Sequence, residues 1–246
     1  LDLAMFGTTA SISEDVSDHF IEVGRGRLPG DLARELMQAG VINDAPKFIL
    51  LGRVTRQWKR LKAGEYKVNG AMTPFEIFSM LTSGQSAHHP VTVREGENMY
   101  EIAADLESKG LADASRILEL CKSAPFIANL GLGSPLPPTL EGYLFPNTYY
   151  LDRTMSPEAI LTQMVRQFET IWTTEQDAKA KSLGFNRHQV ITLASMIEKE
   201  TGATQERPVI SAVFHNRLRK RMRLQSDPTT IYGLLPGFSG NLHRSD

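Results

Sequence analysis

The pattern of apolar and polar positions contains an internal repeat with an offset of 70 residues. In both copies, alternating apolar residues are followed by a glycine and then by apolar positions three and four apart, which predicts a strand, a turn and a helix. A glycine after each helix predicts a left-handed helix end. Two copies of this length indicate two related small α+β units rather than a solenoid. The matched pairs are Val23 and Val93, Gly26 and Gly96, Ala33 and Ala103, Leu36 and Leu106, and Gly40 and Gly110.

The patterns between and after the two copies predict a change from mixed to helical structure near residue 150. Residues 64–68 alternate like a strand, and Thr73, Pro74 and Glu76 predict a helix start with a capping box and a proline in the first turn. The apolar spacing after Ser156 predicts helices at roughly 157–182, 187–201 and 208–222. The chain is therefore expected to have an α+β fold with a mainly helical C-terminal part.

The predicted helix 187–201 carries the strongest candidate for acid catalysis. Asn186 is a good N-cap, and the interior 190–197 is apolar nearly all round, which predicts burial in a core. At about 100° per residue, Glu198 lies on the face of Ile191, whereas Glu200 points about 200° away. The two carboxyl groups therefore cannot form an acid–base pair on one face of the helix.

Glu198 has the environment expected of a general acid. An apolar face and the negative end of the helix dipole both favour the protonated form of a carboxyl group, which is the form that protonates a glycosidic oxygen. The alternative is an exposed glutamate at a frayed helix end.

Two further segments combine hydrogen-bonding groups with aromatic rings, as clefts for sugar polymers do. One is 140–150, and the other is 224–233, which follows a basic run at 217–223. The basic run is either a solvated face or a surface that attracts an anionic polymer. Glu141 and Asp227 could instead cap turns, and Phe145 could belong to the core. The candidate substrate-binding residues are Glu141, Tyr143, Phe145, Asn216, Gln225 and Asp227.

Composition removes several other classes of function. The 246 residues carry a formal net charge of −1, so no global field attracts nucleic acid. The single cysteine, Cys121, excludes an internal disulfide and a cysteine-based zinc site. No HExxH spacing, P-loop or dinucleotide fingerprint is present, so neither a metal nor a cofactor is expected. No apolar stretch approaches the roughly 18 residues of a membrane span. The start without methionine indicates a trimmed or processed chain.

Five segments of the chain, in order, match the motifs of one known family. They span roughly residues 20–235, and the last three are long and specific. With these segments the sequence resembles the YceG-like (MltG-type) endolytic murein transglycosylases. The segments are Leu61–Tyr66, Val91–Gly96, Leu140–Tyr149, Ala194–Thr201, and Asn216–Leu218 continuing into Met222–Thr229.

The resemblance implies an architecture and a location. It implies a LysM-like α+β subdomain that binds peptidoglycan at 18–90, followed at 91–246 by a mainly helical, lysozyme-like catalytic subdomain. Family members usually continue for several tens of residues, so the catalytic subdomain is expected to be incomplete at its C-terminal end. A single-pass N-terminal anchor, absent from this chain, would hold the protein in the bacterial inner membrane with its catalytic part in the periplasm.

The resemblance also implies a reaction. Glu198 matches the family's catalytic glutamate, and the expected activity is lytic cleavage of the MurNAc–GlcNAc β-1,4 bond within glycan strands. This reaction leaves 1,6-anhydro-MurNAc ends and is expected to terminate the elongation of nascent strands. The expected partners are glycan strands and peptidoglycan synthases. Three alternatives stay open: a non-catalytic glycan-binding protein, a hydrolytic muramidase, and a nucleic-acid binder that uses residues 217–223.

Overall fold

The computed structural model describes residues 2–11, 17–24, 26–238 and 240, and it has the expected α+β fold. Two short 3-10 turns lie at Gln57–Arg60 and Thr204–Glu206. The strands are β1 (His19–Val23), β2 (Gly64–Val68), β3 (His89–Val93) and β4 (Asn147–Leu151). The helices are α1 (Asp2–Thr8), α2 (Pro29–Gln38), α3 (Ala45–Val54), α4 (Pro74–Ser83), α5 (Met99–Ser108), α6 (Ala114–Cys121), α7 (Ala124–Ala128), α8 (Pro157–Ile171), α9 (Thr174–Ser182), α10 (Arg187–Glu200), α11 (Arg207–Arg219) and α12 (Asp227–Gly233).

The chain forms two compact units, and the division falls inside β3 and β4. Unit 1 comprises Leu1–Val91 and Thr148–Ser156, and unit 2 comprises Thr92–Asn147 and Pro157–Asp246. The mixed part and the helical part of the sequence therefore do not correspond simply to the two units, because a short segment after residue 147 returns to unit 1.

Unit 1 has a β-α-α-β arrangement followed by α4. Strands β1 and β2 pair antiparallel, from His19 opposite Val68 to Val23 opposite Gly64. Ile21 and Val23 are buried while their neighbours Phe20 and Glu22 are exposed, so the alternation seen in the sequence directs one face of β1 to the core. Helices α2, α3 and α4 complete this core, where Phe48 of α3 stacks on Phe78 of α4 with ring centroids 4.3 Å apart.

Unit 1 contains a buried carboxylate that binds two basic side chains. Glu65 on β2 has a side chain that is 0% exposed, yet both of its oxygens are bound. Nε2 of His89 lies 2.6 Å from one oxygen, and Nη1 of Arg153 donates to the other at 2.6 Å. Since an unpaired buried charge is costly, these two partners account for the tolerance of Glu65 in the core.

The predicted repeat is confirmed as a repeat of structure. The first copy (19–54) and the second copy (89–121) have strands that begin at 19 and 89, and first helices at 29–38 and 99–108. The turn glycines, Gly26 and Gly96, have φ of 78° and 80°. The terminal glycines, Gly40 and Gly110, have φ of 68° and 65°, as the left-handed helix ends require.

The structure extends the repeat into a second helix that the sequence comparison did not include. Asp44 caps α3 by accepting from the backbone N–H of Lys47, and Asp113 caps α6 by accepting from that of Arg116. The loop between the two helices is one residue shorter in the second copy than in the first. The equivalent positions in this second helix therefore lie 69 residues apart, rather than 70. The buried residues then correspond: Phe48, Leu51 and Gly52 in α3, and Ile117, Leu120 and Cys121 in α6.

The helical part of unit 2 corrects two expectations. The helix predicted at roughly 157–182 is two helices, because Thr173 and Gln176 form a capping box that starts α9. Helix α10 was expected to be buried nearly all round, which is wrong: Met196 is its one buried residue among those described. Its other apolar residues are half-buried or exposed, since neighbouring helices cover only part of its surface.

Candidate functional site

Helix α10 is fixed at its N-terminal end by a capping box and an ion-pair network. Asn186 is the N-cap as predicted and accepts from the backbone N–H of Gln189, while Gln189 accepts from that of Asn186. Arg187 lies 2.5 Å from Glu169 and 3.0 Å from Asp177, which anchors the helix start to α8 and α9. The other end of α10, which carries Glu198, packs near α11 and α12.

Glu198 forms an ion pair with Arg207, the first residue of α11. Nη2 of Arg207 lies 3.0 Å from Oε1 and 2.8 Å from Oε2 of Glu198, so one nitrogen faces both carboxylate oxygens. The side chains are 31% exposed for Glu198 and 32% for Arg207. Nε of Arg207 is buried and has no hydrogen-bond partner among the described residues.

Two glycines in left-handed conformations line the face of α10 that carries Glu198. A β-carbon added at Gly96 would lie 3.8 Å from Cγ of Glu198. A β-carbon added at Gly142 would lie 2.5 Å from Cγ2 of Ile191, closer than real side chains approach. Both glycines have φ of 80°. The backbone at Gly142 can therefore approach this face closely because that position carries no side chain, whereas a β-carbon at Gly96 would make an ordinary contact.

These surroundings differ from the dry, apolar pocket expected for Glu198. Ala194 and Ser195, its neighbours on the helix face, are exposed, and Ile191 is half-buried. A guanidinium, rather than an apolar wall, contacts the carboxyl oxygens. The expectation was wrong because helix periodicity gives the direction of a side chain but does not show what covers it.

Glu200 has a different partner from Glu198, as the predicted separation of about 200° requires. Oε2 of Glu200 accepts a hydrogen bond from the hydroxyl of Ser226 at 2.9 Å. Ser226 is the N-cap residue of α12, and its side chain makes no capping hydrogen bond to that helix. The two glutamates of the Ile197–Thr201 segment thus bind to separate elements of unit 2.

Glu141 connects two other elements rather than facing open solvent. Its Oε2 accepts from the backbone N–H of Met99 at 3.1 Å and from the hydroxyl of Tyr232 at 2.7 Å. Met99 begins α5, so the carboxylate lies at the positive end of that helix. Burial and the hydrogen bond to Glu141 raise the pKa of Tyr232, so its hydroxyl remains a donor.

The two aromatic candidates of the same segment occupy different environments. Tyr143 is 1% exposed, its ring packs edge-on to Phe168 at 5.0 Å, and its hydroxyl lies 3.3 Å from Nδ1 of His188. Burial raises the pKa of Tyr143 to about 12. This position suits a residue that shapes the wall of a site and does not suit one that stacks on a sugar. Phe145 is half-buried.

The three remaining candidates are exposed near the basic run. Asn216 on α11 accepts from Nη2 of Arg219 at 2.8 Å. Gln225 has φ of 51°, a left-handed conformation that is uncommon for a residue with a side chain. Asp227 is the first residue of α12. Nη1 of Arg217 donates to the carbonyl oxygen of Leu224 and so holds the loop that precedes Gln225.

Comparison with protein families decides the affiliation of the chain. The sequence model of the YceG-like family matches residues 21–246. The chain belongs to the YceG-like family. This match confirms the resemblance found in the sequence, and it includes both units.

This YceG-like chain is similar to several known proteins. It is 34% identical over 184 residues to the endolytic murein transglycosylase of Bacillus subtilis, covering 70% of the chain and 51% of that relative. It is 27% identical over 242 residues to the endolytic murein transglycosylase of Streptococcus pneumoniae serotype 2, covering 88% and 43%. The chain thus spans about half the length of the curated relatives it matches.

A crystal structure of a YceG-like protein from Listeria monocytogenes supports the fold. The two are 27% identical with a TM-score of 0.56, and the match covers 92% of this chain and 78% of the other. Within the described part of the chain, no helix has the length and apolar character needed to cross a membrane.

Sequence reasoning on this YceG-like chain missed two residues, Arg207 and Tyr232, as the partners of Glu198 and Glu141. Tyr232 stands within a segment already noted for its mixture of polar and aromatic groups. Arg207 gave no comparable signal, because an arginine before a helix-starting proline is ordinary. Both pairings depend on how α11 and α12 pack in unit 2.

Proposed function

We propose that this chain is the part of an endolytic murein transglycosylase that carries the catalytic acid, Glu198. The observation that carries the proposal is the separation of the two carboxylates on α10: Glu198 pairs with Arg207, and Glu200 binds Ser226. Hydrolytic glycosidases use two carboxyls about 5–5.5 Å or 6.5–9.5 Å apart across one bond. A lytic enzyme needs only one. Family membership and the names of the relatives support the same activity.

The proposed reaction uses Glu198 twice. Its carboxyl proton passes to the glycosidic oxygen as the bond from C1 of MurNAc to O4 of the departing GlcNAc breaks. The resulting carboxylate then accepts the proton of the MurNAc 6-hydroxyl while O6 bonds to C1. The products are a free GlcNAc 4-hydroxyl and a 1,6-anhydro-MurNAc end, and Glu198 regains its proton. Because the substrate supplies the nucleophile, no water is consumed.

Arg207 fits the half of this cycle in which Glu198 is a carboxylate. An ion pair exposed to this degree contributes only about 0–1 kcal/mol, so the guanidinium can leave the carboxyl at little cost. Arg207 would then stabilise the Glu198 carboxylate after its proton has passed to the departing sugar, and would leave the carboxyl as the MurNAc 6-hydroxyl returns a proton to it. Asn216, Gln225 and Asp227 would bind the sugars, while Tyr143 and Phe145 would shape the wall.

The remaining assignments rest on the family and on the β-α-α-β arrangement of unit 1. We propose residues 18–90 as a LysM-like peptidoglycan-binding subdomain and 91–246 as a lysozyme-like catalytic subdomain. The cleavage would occur in the periplasm, on a protein anchored in the inner membrane, where it would end the elongation of strands made by peptidoglycan synthases.

Product analysis of digested sacculi tests the proposal. The full protein and its Glu198→Gln variant are incubated with sacculi, and the released glycans are identified by mass spectrometry. Glu175→Gln, an exposed glutamate of α9 in the same unit, is the matched control. We expect anhydro ends from the wild type and the control, and a loss of at least 1000-fold in Glu198→Gln, since the only proton donor is removed.

Each other outcome identifies an alternative. Reducing MurNAc ends would replace the proposal with hydrolytic muramidase activity. Binding to sacculi without any product would indicate a non-catalytic glycan-binding protein. Equal activity of Glu198→Gln and wild type would assign the catalysis to another residue.

A further inference from the structure

Helix α12 is held on unit 2 with little help from apolar burial. It has seven residues, and none of its described residues is buried. A helix this short is not stable by itself in water, so it depends on contacts to its neighbours. Its position must therefore be fixed mainly by polar contacts and by the half-buried side chains beneath it.

Two hydrogen bonds from hydroxyl groups to carboxylates hold α12, one at each end. At the start, the hydroxyl of Ser226 donates to Glu200 on α10 at 2.9 Å, and Ser226 is only 5% exposed. At the other end, the hydroxyl of Tyr232 donates to Glu141 at 2.7 Å. Hydrogen bonds to charged acceptors are stronger than those between neutral groups, which suits them to fasten an element with little core.

The element fastened in this way includes candidate substrate-binding residues. Gln225 and Asp227 flank Ser226, and the left-handed backbone of Gln225 persists only if its surroundings hold it. Arg217 holds the carbonyl of Leu224 on one side of this residue, and Glu200 holds Ser226 on the other.

Glu141 also connects α12 to the surroundings of Glu198. The oxygen that binds Tyr232 accepts from the N–H of Met99, three residues after Gly96, whose added β-carbon would lie 3.8 Å from Cγ of Glu198. The next residue after Glu141 is Gly142, which abuts Ile191 on the same face of α10. One carboxylate thus joins α12, the turn at Gly96 and the face that carries Glu198.

We propose that Glu141 and Glu200 are positioning residues that fasten α12 beside α10 through Tyr232 and Ser226, so that Gln225 and Asp227 are presented to the glycan at fixed places relative to Glu198. The inference rests on the proposed function of Glu198. It gives Glu141 a different role from direct sugar binding, and it gives a role to the second glutamate of the Ile197–Thr201 segment.

The test removes only the two hydroxyl donors, through Ser226→Ala, Tyr232→Phe and the double variant of the full protein. Neither change touches Glu198, and both keep the Glu141 carboxylate that accepts from the backbone N–H of Met99, which Glu141→Ala would remove. Tyr150→Phe, on a tyrosine of unit 1 that is 63% exposed, is the control. Amide exchange over 226–234 measures the attachment of α12, and glycan digestion measures KM and kcat separately.

We expect each single variant to speed amide exchange in α12 about tenfold, the effect of one lost hydrogen bond to a charged group, and the double variant to speed it more. KM should rise several-fold while kcat changes little, because the acid is intact but the sugar contacts are less ordered. Glu198→Gln should show the opposite split, with kcat lost and exchange unchanged.

Two results would overturn the inference. Exchange in α12 equal to that of Tyr150→Phe would show that the hydroxyl–carboxylate bonds do not hold the helix. Faster exchange with unchanged KM would show that α12 does not order the substrate contacts. Absence of cleavage by the wild type would instead remove the proposed function, and the exchange data would still decide whether the two bonds fasten α12.

Discussion

The two copies of the repeat have the same strand, turn and helix, but their turns have different surroundings. Gly26 and Gly96 share a left-handed backbone, with φ of 78° and 80°. A β-carbon added at Gly26 would have no described atom within 4 Å, whereas one at Gly96 would lie 3.8 Å from Glu198. Among the described residues, the turn glycine therefore has the candidate acid as a neighbour only in the second copy.

The helix that follows each turn also begins differently, with more side-chain contacts in the second copy than in the first. Leu28 precedes α2 and makes no side-chain cap, so proline at the first position starts that helix. Asn98 forms a capping box with Glu101 at the start of α5, and Glu141 adds a further carboxylate acceptor. The helix start after the second turn thus has a capping box and an additional carboxylate acceptor that the first lacks. Neighbours from the rest of the chain, rather than the repeated motif itself, distinguish a structural turn from part of a site.

The largest expected effect is a loss of stability from substitutions in the second helix of each copy, α3 or α6. Phe48 and Ile117 occupy equivalent positions and are both 0% exposed. Phe48→Ala should lower the free energy of unfolding by about 3–5 kcal/mol and Ile117→Ala by about 2–5 kcal/mol. The loss should be greater for Phe48, because its ring also stacks on Phe78. Native-state amide exchange in α3 and α6 measures each loss in its own unit.

An exposed leucine of α3 provides the control for this pair. Leu50 is 48% exposed, so Leu50→Ala should change the free energy of unfolding by no more than about 0.5 kcal/mol. If Phe48→Ala cost no more than Leu50→Ala, the equivalence of buried positions across the repeat would be wrong.

A smaller effect separates the two turn glycines. Gly26→Leu and Gly96→Leu should each cost about 1–2 kcal/mol of stability, because both force a side chain into a left-handed backbone. Only Gly96→Leu should also displace Glu198, lowering kcat about tenfold or more in the glycan digestion. Gly96→Ala is the control for strain alone, since its β-carbon would make an ordinary contact at 3.8 Å. Equal loss of activity in both leucine variants would attribute the effect to strain.

The smallest expected effect concerns the charge of the cap on α6. The hydrogen bond from Ser115 and that from the backbone of Arg116 hold the pKa of Asp113 below its ordinary value of 3.8. Its charge therefore adds stability above the ordinary pKa, and this contribution is lost as the pH falls through the lowered value. Asp113→Asn, which keeps an acceptor at the cap, should be slightly less stable than wild type at neutral pH. Urea unfolding should show this difference vanish in acid; a difference independent of pH would contradict it.

Local interactions explain which parts of the fold could be predicted. The caps at Thr73 and Asn186 and the terminal glycines of the repeat are formed by residues within a few positions of each other, and all were confirmed. The break between α8 and α9 has an equally local signal, Thr173 with Gln176, which the long run of helical spacing obscured. The exposure of much of α10 could not be predicted, since it depends on which elements pack around that helix.

In the candidate site, too, local geometry could be predicted from the sequence, and contacts between distant elements could not. The opposite directions of Glu198 and Glu200 follow from helix geometry and agree with their different partners. The bond between Glu141 and Tyr232 joins residues 91 positions apart, and the ion pair between Glu198 and Arg207 depends on the turn between α10 and α11. No spacing rule connects such residues, because tertiary packing alone brings them together.

The buried thiol of Cys121 provides a probe for the opening of the structure around it. The thiol lies at the end of α6 with 0% exposure, and burial raises its pKa to about 12. Because the thiolate is the reactive form, alkylating reagents can modify it only when that region opens to water. The sequence holds no second cysteine to compete. The rate of alkylation therefore measures how often unit 2 opens around Cys121. No substitution is needed, so the rate can be compared between the free protein and the protein bound to glycan.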